Sequence, residues 1–162
     1  MKLRKLEKKD ALHMLEWMHD LSVTEKLHKN FMSKSIDDCE VFINFAQNTG
    51  IDMHLAIVDN KDTYMGTVSL KNIADKEAEF AIVIRTCAMG KGYAKYAMEE
   101  IIRVAFEELK LKRVFWCVSS ENTAALKFYK KNGFQSFIAH GDESIEGYTK
   151  EQIKRYLWFE VR

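Results

Sequence analysis

The order of apolar and polar residues predicts an α+β fold that opens with a short strand and two helices. The opening stretch "KLRKL" alternates as a strand does. Asp10 is placed to cap a helix over residues 11–21, whose apolar positions recur at helical spacing. A second helix is predicted to begin at Ser35, which forms a capping-box pattern with Asp38, and to end at Gly50.

The middle of the chain predicts a meander of three strands followed by a long helix. Residues 55–58 and 64–70 are separated by a polar turn, which is typical of a hairpin. The third strand is "KEAEFAIVIR", residues 76–85, whose β-branched content predicts burial on both faces. One apolar face runs through residues 90–109 and indicates a helix.

The last third of the chain predicts another buried strand, a short helix and a closing strand pair around a polar insert. Asn122 is placed to cap the helix, and Gly133 is placed to end it. The chain is therefore expected to be one α+β domain over residues 1–162, with a mixed sheet of about seven strands and two helices packed on it. The segments are the strand 112–120, the helix 121–134, the strands 134–140 and 154–162, and the insert 141–152.

Composition and charge narrow the function classes. The sequence is 47% hydrophobic and 30% charged, as soluble globular proteins are, and its net charge of +1 argues against a nucleic-acid partner. No apolar stretch approaches the roughly 20 residues that span a bilayer, so no membrane partner is expected. Three cysteines without a CxxC motif indicate the reducing cytoplasm, and five scattered histidines predict no metal site.

Two glycines stand at one strand-to-helix junction, in "MGKGYAKYAMEEII". Gly90 and Gly92 leave backbone N–H groups open before a helix N-terminus, an arrangement that favours an anion such as a phosphate. The stretch matches neither a P-loop, since no Ser or Thr follows Lys91, nor a dinucleotide fingerprint, since Lys95 stands at the third glycine position. The alternative is a tight turn that binds nothing.

Three further side chains are candidates for chemistry, each with a structural alternative. Tyr129 follows Asn122 by seven residues, so both lie near one helix face, and a phenol there could donate a proton, although a core aromatic is the plain alternative. Glu79 in an apolar strand either faces solvent or faces a cleft as a base, with Glu77 as its rival. Cys117 lies in a buried strand with no adjacent base, which favours a core role.

Considered together, these segments resemble the GNAT superfamily of acetyl-CoA-dependent N-acetyltransferases. The family motif Arg/Gln-x-x-Gly-x-Gly/Ala is matched by Met89 to Ala94, and an Asn followed by Tyr and then Gly-Phe is matched by Asn122, Tyr129 and Gly133-Phe134. The resemblance covers nearly the whole chain, and its order of elements is the family's. Met89 departs from the usual Arg or Gln, which leaves the turn its amides and Lys91 as a compensating charge.

The resemblance implies acetyl-CoA as co-substrate, with its pyrophosphate on the amides of the glycine turn. Its pantetheine arm would lie between the strand ending at Ile84–Arg85 and the strand ending at Val118, which diverge in the family. Asn122 would bind at the mouth of that cleft. The implied cofactor-binding residues are Val83, Ile84, Arg85, Met89, Gly90, Lys91, Gly92, Tyr93, Ala94 and Asn122.

The mechanism implied is direct attack of a neutral amine on the thioester. Glu79 would accept the amine proton through water, a backbone N–H near Ile84 would polarise the thioester oxygen, and Tyr129 would protonate the departing thiolate.

The two N-terminal helices and the insert are expected to form the acceptor pocket. The chain is most similar to the branch with ribosomal-protein N-terminal, polyamine and nucleotide-amino-sugar acetyltransferases. A small amine such as an amino sugar is the favoured acceptor, and a protein N-terminus is the next candidate. The alternative to an enzyme is a sensor that binds acyl-CoA without catalysis. The terminal strand "YLWFEVR" could pair with its copy across a homodimer. The expected pocket residues are Trp17, Glu25, His28, Phe31, Met32, Asp37 and Asp38.

Overall fold

One mixed six-stranded sheet, in the order β1-β2-β3-β4-β5-β6, organises the protein. A computed structural model describes residues 1–27, 29–139 and 143–162. Neighbouring strands are antiparallel except β4 and β5, which are parallel. The strands are β1 (Lys2–Lys5), β2 (Met53–Val58), β3 (Tyr64–Ala74), β4 (Glu77–Ile84), β5 (Arg113–Val118) and β6 (Leu157–Val161).

Six α-helices accompany the sheet in the described residues. A capping box between Ser35 and Asp38 starts α3, and Asn122 caps α5 by accepting from the Ala125 amide, as the sequence predicts. The long predicted helix divides into α4 and a π-helical turn over Val104–Glu108. The helices are α1 (Ala11–Met18), α2 (Leu21–Thr24), α3 (Ile36–Asn48), α4 (Tyr93–Arg103), α5 (Thr123–Lys131) and α6 (Lys150–Arg155).

The predicted α+β class is confirmed, with four differences in detail. Helix α6 takes up the end of the predicted insert 141–152 and the start of the strand predicted over 154–162, so β6 begins only at Leu157. Six strands replace the expected seven because the described part of residues 134–140 contributes only an isolated bridge, Phe137 to Trp158; His140 lies outside the described residues. Three helices instead of two separate β1 from β2, since the four-residue α2 follows α1. Asp10 makes no cap hydrogen bond to α1, because its buried carboxylate accepts from both terminal nitrogens of Arg4.

The two faces of the sheet carry separate apolar cores. Strand alternation puts residues such as Leu70, Phe80 and Trp116 on one face, where α4 and α5 pack; we call it the α4/α5 face. The opposite face is covered by α1 and α3 at one side and by Ile153 of α6 with Trp158 at the other. We call it the α1/α3 face. Between these two covers, the middle of β4 is only half-buried.

The sheet opens between β4 and β5, its one parallel pair of neighbouring strands. Paired residues of β4 and β5 run only from Glu77 with Arg113 to Glu79 with Phe115, although both strands continue beyond that point. The strands diverge after Glu79, as the resemblance implies. This opening leaves one edge of β4 without a strand partner in the described structure, so its backbone groups are available to a ligand.

Candidate functional site

The glycine turn meets the requirements of an anion site. Gly90 and Gly92 have φ values of +73° and +87°, the left-handed region that glycine adopts without strain. Gly92 is the N-cap of α4, and no side chain caps that helix end. The first amides of α4 therefore have no side-chain acceptor in the described structure, and the turn that carries them is exposed. A diphosphate fits such a turn.

The end of β4 supplies a second set of backbone donors. Arg85 donates its amide to the Met65 carbonyl on β3, and antiparallel pairs alternate along the ladder. By that alternation, Val83 also pairs towards β3, whereas the N–H groups of Ile82 and Ile84 face the opening. Those two amides can bond the amide-rich arm of a cofactor or a thioester oxygen.

Arg85 is a predicted cofactor residue whose guanidinium is already bonded inside the protein. Its guanidinium donates to both carboxylate oxygens of Glu16 on α1, at 2.8 Å to the closer one, and to the Tyr64 carbonyl at 2.8 Å. The neighbouring Thr86 hydroxyl donates to Asp20 at 2.6 Å. These bonds tie the helices of the α1/α3 face to the segment that leads into the glycine turn.

Tyr129 lies on α5 in the core of the α4/α5 face, where aromatic neighbours hold it. It is 5% exposed, and its ring centroid lies 5.3 Å from Trp116 and 5.0 Å from Phe159. Burial, together with the Cys117 thiol, raises the pKa of Tyr129 above its ordinary value. The phenol therefore stays protonated at physiological pH, as a proton donor must.

Glu79 stands where β4 and β5 separate, and its carboxylate is buried but partnered. Lys71 on β3 lies 3.1 Å from Oε1, and the Tyr148 hydroxyl donates to the same oxygen. Among the residues that the structure describes, both of these contacts fall on Oε1. The rival Glu77 is instead paired with Arg113 at 3.1 Å and is half-exposed, so the structure favours Glu79 as the cleft carboxylate.

Cys117 contacts Tyr148, but its thiol is not activated as a nucleophile. Burial raises the pKa of its thiol to about 11, and a hydrogen bond with Tyr148 only partly opposes this. Tyr148 itself has a raised pKa, caused first by burial and then by the charges of Cys117 and Glu79. Cys117 is half-buried in the apolar cluster around Trp158, which agrees with the core role favoured by the sequence.

The residues predicted to form the acceptor pocket lie in three different settings: the buried core, the N-terminal cap of a helix, and the surface. Trp17 is buried and donates to the Tyr64 hydroxyl at 3.0 Å, so it belongs to the core under α1. Phe31 packs on Trp17 with ring centroids 5.0 Å apart, and Asp38 serves the α3 capping box. Residues at the surface are Glu25, Met32 and Asp37, and His28 lies outside the described residues.

A polar row on the α1/α3 face was missed by the sequence reasoning. Successive residues of β3 on that face, Thr67, Ser69 and Lys71, each contact a polar partner from another residue. The signal was present, since polar residues alternate with apolar ones in "GTVSLK". The alternation of polar and apolar residues shows that these side chains share one face of the strand, but it does not show whether that face meets solvent or the cleft.

Comparison with known proteins shows which proteins this chain is similar to. The family model of the acetyltransferase (GNAT) domain matches residues 1–135. A spermidine N(1)-acetyltransferase of Vibrio cholerae is 26% identical over 137 residues, which cover 82% of this chain and 77% of that protein. Acetyltransferase PseH of Campylobacter jejuni is 30% identical over 106 residues, covering 64% and 66%. The crystal structure of the V. cholerae spermidine N-acetyltransferase with CoA and spermine matches with a TM-score of 0.80 at 21% identity, covering 99% of this chain and 94% of that one.

Proposed function

The chain belongs to the GNAT acetyltransferase family and is an N-acetyltransferase, and we propose that it moves the acetyl group of acetyl-CoA to a primary amine of a small molecule by direct attack. The observation that carries the proposal is the opening between β4 and β5, which begins at Glu79; Tyr129 packs against Trp116 of β5, in the part of that strand beyond the paired residues. A proton acceptor and a proton donor thus flank the position where a thioester would enter.

The glycine turn and the free edge of β4 would hold acetyl-CoA. The amides from Gly90 to Ala94 would bind the pyrophosphate, with Lys91 as a nearby exposed charge. The Met89 amide, which the resemblance includes in this set, already donates to the Thr86 carbonyl at 3.2 Å. Ile84 would bond the pantetheine arm or the thioester oxygen through its N–H, and Asn122 retains its side-chain NH2 group for the ligand while its Oδ1 caps α5. Val83 would contribute its side chain, and Arg85 its carbonyl.

The proposed chemistry divides among three groups of this chain. Glu79 accepts a proton from the incoming amine at Oε2, directly or through one water. The Ile84 N–H stabilises negative charge that develops on the thioester oxygen. Tyr129 donates its phenolic proton to the departing sulfur. Positioning of the two substrates on the rigid sheet provides the remaining acceleration.

Charge compensation near the opening favours a small amine with few charges, such as an amino sugar. Glu79 is paired with Lys71 at 3.1 Å, and Glu16 is paired with Arg85 at 2.8 Å. A linear polycation needs uncompensated carboxylates, which these two sites do not offer. The V. cholerae relative named for spermidine nevertheless makes a polyamine the first competitor. A protein N-terminus is the next candidate, and acyl-CoA sensing without turnover is the other class.

An acceptor panel with thiol release as readout tests the proposal. Amino sugars and their nucleotides, polyamines, amino acids and N-terminal peptides would each be supplied with acetyl-CoA, whose binding is measured by calorimetry. Turnover on one class names the acceptor, whereas binding without turnover on any class favours the sensor. Glu79→Gln should lower kcat and change the pH–rate profile, and Glu77→Gln is the matched control on the same strand. Equal effects of the two substitutions would remove Glu79 from the base role.

The proposal also covers domain organisation, cellular location and oligomeric state. Residues 1–162 form a single catalytic domain, which the continuous sheet from β1 to β6 supports. The enzyme works in the cytoplasm, in keeping with three free thiols. Within the described residues, no helix combines the length and apolarity needed to cross a membrane. The edge strand β6 could pair across a homodimer, which light scattering after size-exclusion chromatography would test.

A further inference from the structure

A buried Ser–His–Asp arrangement lies on the α1/α3 face beside the proposed reaction site. His54 on β2 has its Nδ1 2.7 Å from the Ser69 hydroxyl on β3, and its Nε2 lies 3.7 Å from Asp52 Oδ2. The ring packs edge-on against Phe42 of α3, with centroids 4.9 Å apart. Asp52 is fixed in turn, because its Oδ1 accepts the Asn72 amide at 2.8 Å. The nearby carboxylate favours the tautomer with its proton on Nε2, so Nδ1 can accept from Ser69.

Ser69 connects this arrangement to the opening. It is paired in register with Ala81 on β4, and the adjacent pair along the same ladder face is Lys71 with Glu79. Ser69 and the proposed base Glu79 are therefore diagonal cross-strand neighbours on one face, within reach of a single amine or water. Ala81 is half-buried, whereas Val83, two residues further along β4, packs against the apolar cluster under α1 and α3. An acceptor approaching the opening from this face would thus pass Ser69.

Acetyl transfer to an alkyl ammonium requires two protons to leave nitrogen. One leaves to make the amine nucleophilic, and the second leaves once the C–N bond has formed and the C–S bond breaks. One of the two replaces the proton that Tyr129 gives to the CoA sulfur, and the other is released to solvent, so the balance closes. Glu79 can hold one proton at a time. A second acceptor beside it removes the need for Glu79 to discharge in mid-reaction.

Resting on the proposed function, we infer that Ser69 and His54 form the second proton acceptor. The Ser69 hydroxyl takes a proton from the acceptor nitrogen as it passes its own proton to Nδ1 of His54. Asp52 stabilises the resulting imidazolium from the Nε2 side. Ser69 is the group that meets the substrate, while His54 and Asp52 act through it.

The surroundings of His54 suit a transient acceptor. Its pKa is lowered from the ordinary value chiefly by burial, and Lys71 on β3 and Lys29 after α2 lower it further, whereas Asp52 opposes them. Phe42 is the uncharged neighbour from α3. The ring is consequently neutral at pH 7, ready to accept a proton, and it returns that proton readily afterwards.

The test compares hydroxyl variants of β3 over pH 5.5–9 with whichever acceptor turns over. Ser69→Ala should lower kcat by about 10- to 100-fold and leave the KM for acetyl-CoA unchanged. General bases contribute about 10²- to 10⁴-fold to the rate, and a second acceptor beside Glu79 is expected at or below the lower end of that range. Ser69→Thr keeps the hydroxyl and should restore most of kcat. Thr67→Val removes the neighbouring inward hydroxyl, which only bonds Tyr64 in the core, and should stay within about threefold of the wild type.

A second variant guards against a folding defect in Ser69→Ala. Asp52→Asn keeps the oxygen that accepts the Asn72 amide but removes the charge facing His54, so the acid limb of kcat should move to lower pH. An unmoved acid limb, or a Ser69→Ala enzyme within twofold of the wild type at every pH, overturns the relay alone. A wild type that transfers no acetyl group to any acceptor overturns the relay and the proposed function together.

Discussion

Removal of the Tyr129 hydroxyl tests the proton donor most directly, because Tyr129→Phe leaves the ring in place. Only 5% of the residue is exposed, and the ring contacts Trp116, Phe159, Phe128 and Phe134. All of these contacts persist with phenylalanine. We therefore expect the free energy of unfolding to change by less than about 1 kcal/mol, the usual effect of one neutral hydroxyl.

The expected loss lies in catalysis. General acid groups contribute about 10²- to 10⁴-fold, and a thiol of pKa about 8.5 is already a good leaving group, so the lower end of the range applies. We expect kcat to fall about 100-fold, which corresponds to about 2.7 kcal/mol in the barrier. Because the pKa of Tyr129 is raised, the phenol remains protonated throughout pH 7–9, and the defect should be constant over that interval.

Thiol release by the wild type and by Tyr129→Phe at saturating acceptor measures this directly, with calorimetry reporting acetyl-CoA affinity. Tyr96→Phe is the matched control, since it removes a half-buried phenol hydroxyl from α4 away from the opening. A Tyr129→Phe enzyme whose kcat stays within threefold of the wild type refutes the proton-donor role. Weaker acetyl-CoA binding with unchanged kcat would instead make Tyr129 a cofactor contact.

Three further predictions concern the turn, the cap and pH. Gly92→Ala should weaken acetyl-CoA binding about fivefold, because its φ of +87° costs alanine about 1 kcal/mol while the added Cβ meets only Met1 at 3.8 Å; calorimetry measures it. Asn122→Ala should cost about 0.5–2 kcal/mol in thermal unfolding by removing the α5 cap, and Asn122→Asp should not. Because the pKa of His54 is lowered in the folded protein, the unfolded chain binds more protons below about pH 6.5, so Tm should fall from pH 7 to 5, and less steeply in His54→Asn.

Local patterns predicted most elements of this fold because those elements are determined locally. The capping box at Ser35 and the cap at Asn122 act within one helical turn, and both formed as expected. The strand predicted over 134–140 depends instead on a partner elsewhere in the chain. In its described part, residues 134–139, only Phe137 is paired, through a single bridge to Trp158 on the outer edge of β6.

The sequence suggested candidate site residues in two ways, through motifs and through Glu79, a carboxylate in an otherwise apolar strand. The glycine turn and Tyr129 belong to motifs, whereas Lys71, Tyr148 and Ser69 do not. Tyr148 reaches Glu79 from a segment 69 residues further along the chain. No spacing rule relates two such positions, because the register of β3 on β4 and the path of the segment before α6 bring them together.

The early end of the β4–β5 ladder explains why donors, acceptors and charges gather at one point. A parallel pair that stopped at the strand ends would have buried the amides of Ile82 and Ile84 in hydrogen bonds and covered Glu79 with β5. Divergence after Glu79 frees those amides on the strand edge, while the two apolar covers of the α1/α3 face stay apart by the width of the half-buried stretch of β4. On that face β4 contributes the Glu79 carboxylate and then only Ala81 and Val83, whereas β3 contributes Ser69 and Lys71 opposite Ala81 and Glu79. The polar groups of the proposed site are thus divided between the side chains of these two strands, and cofactor recognition is left to the backbone of β4.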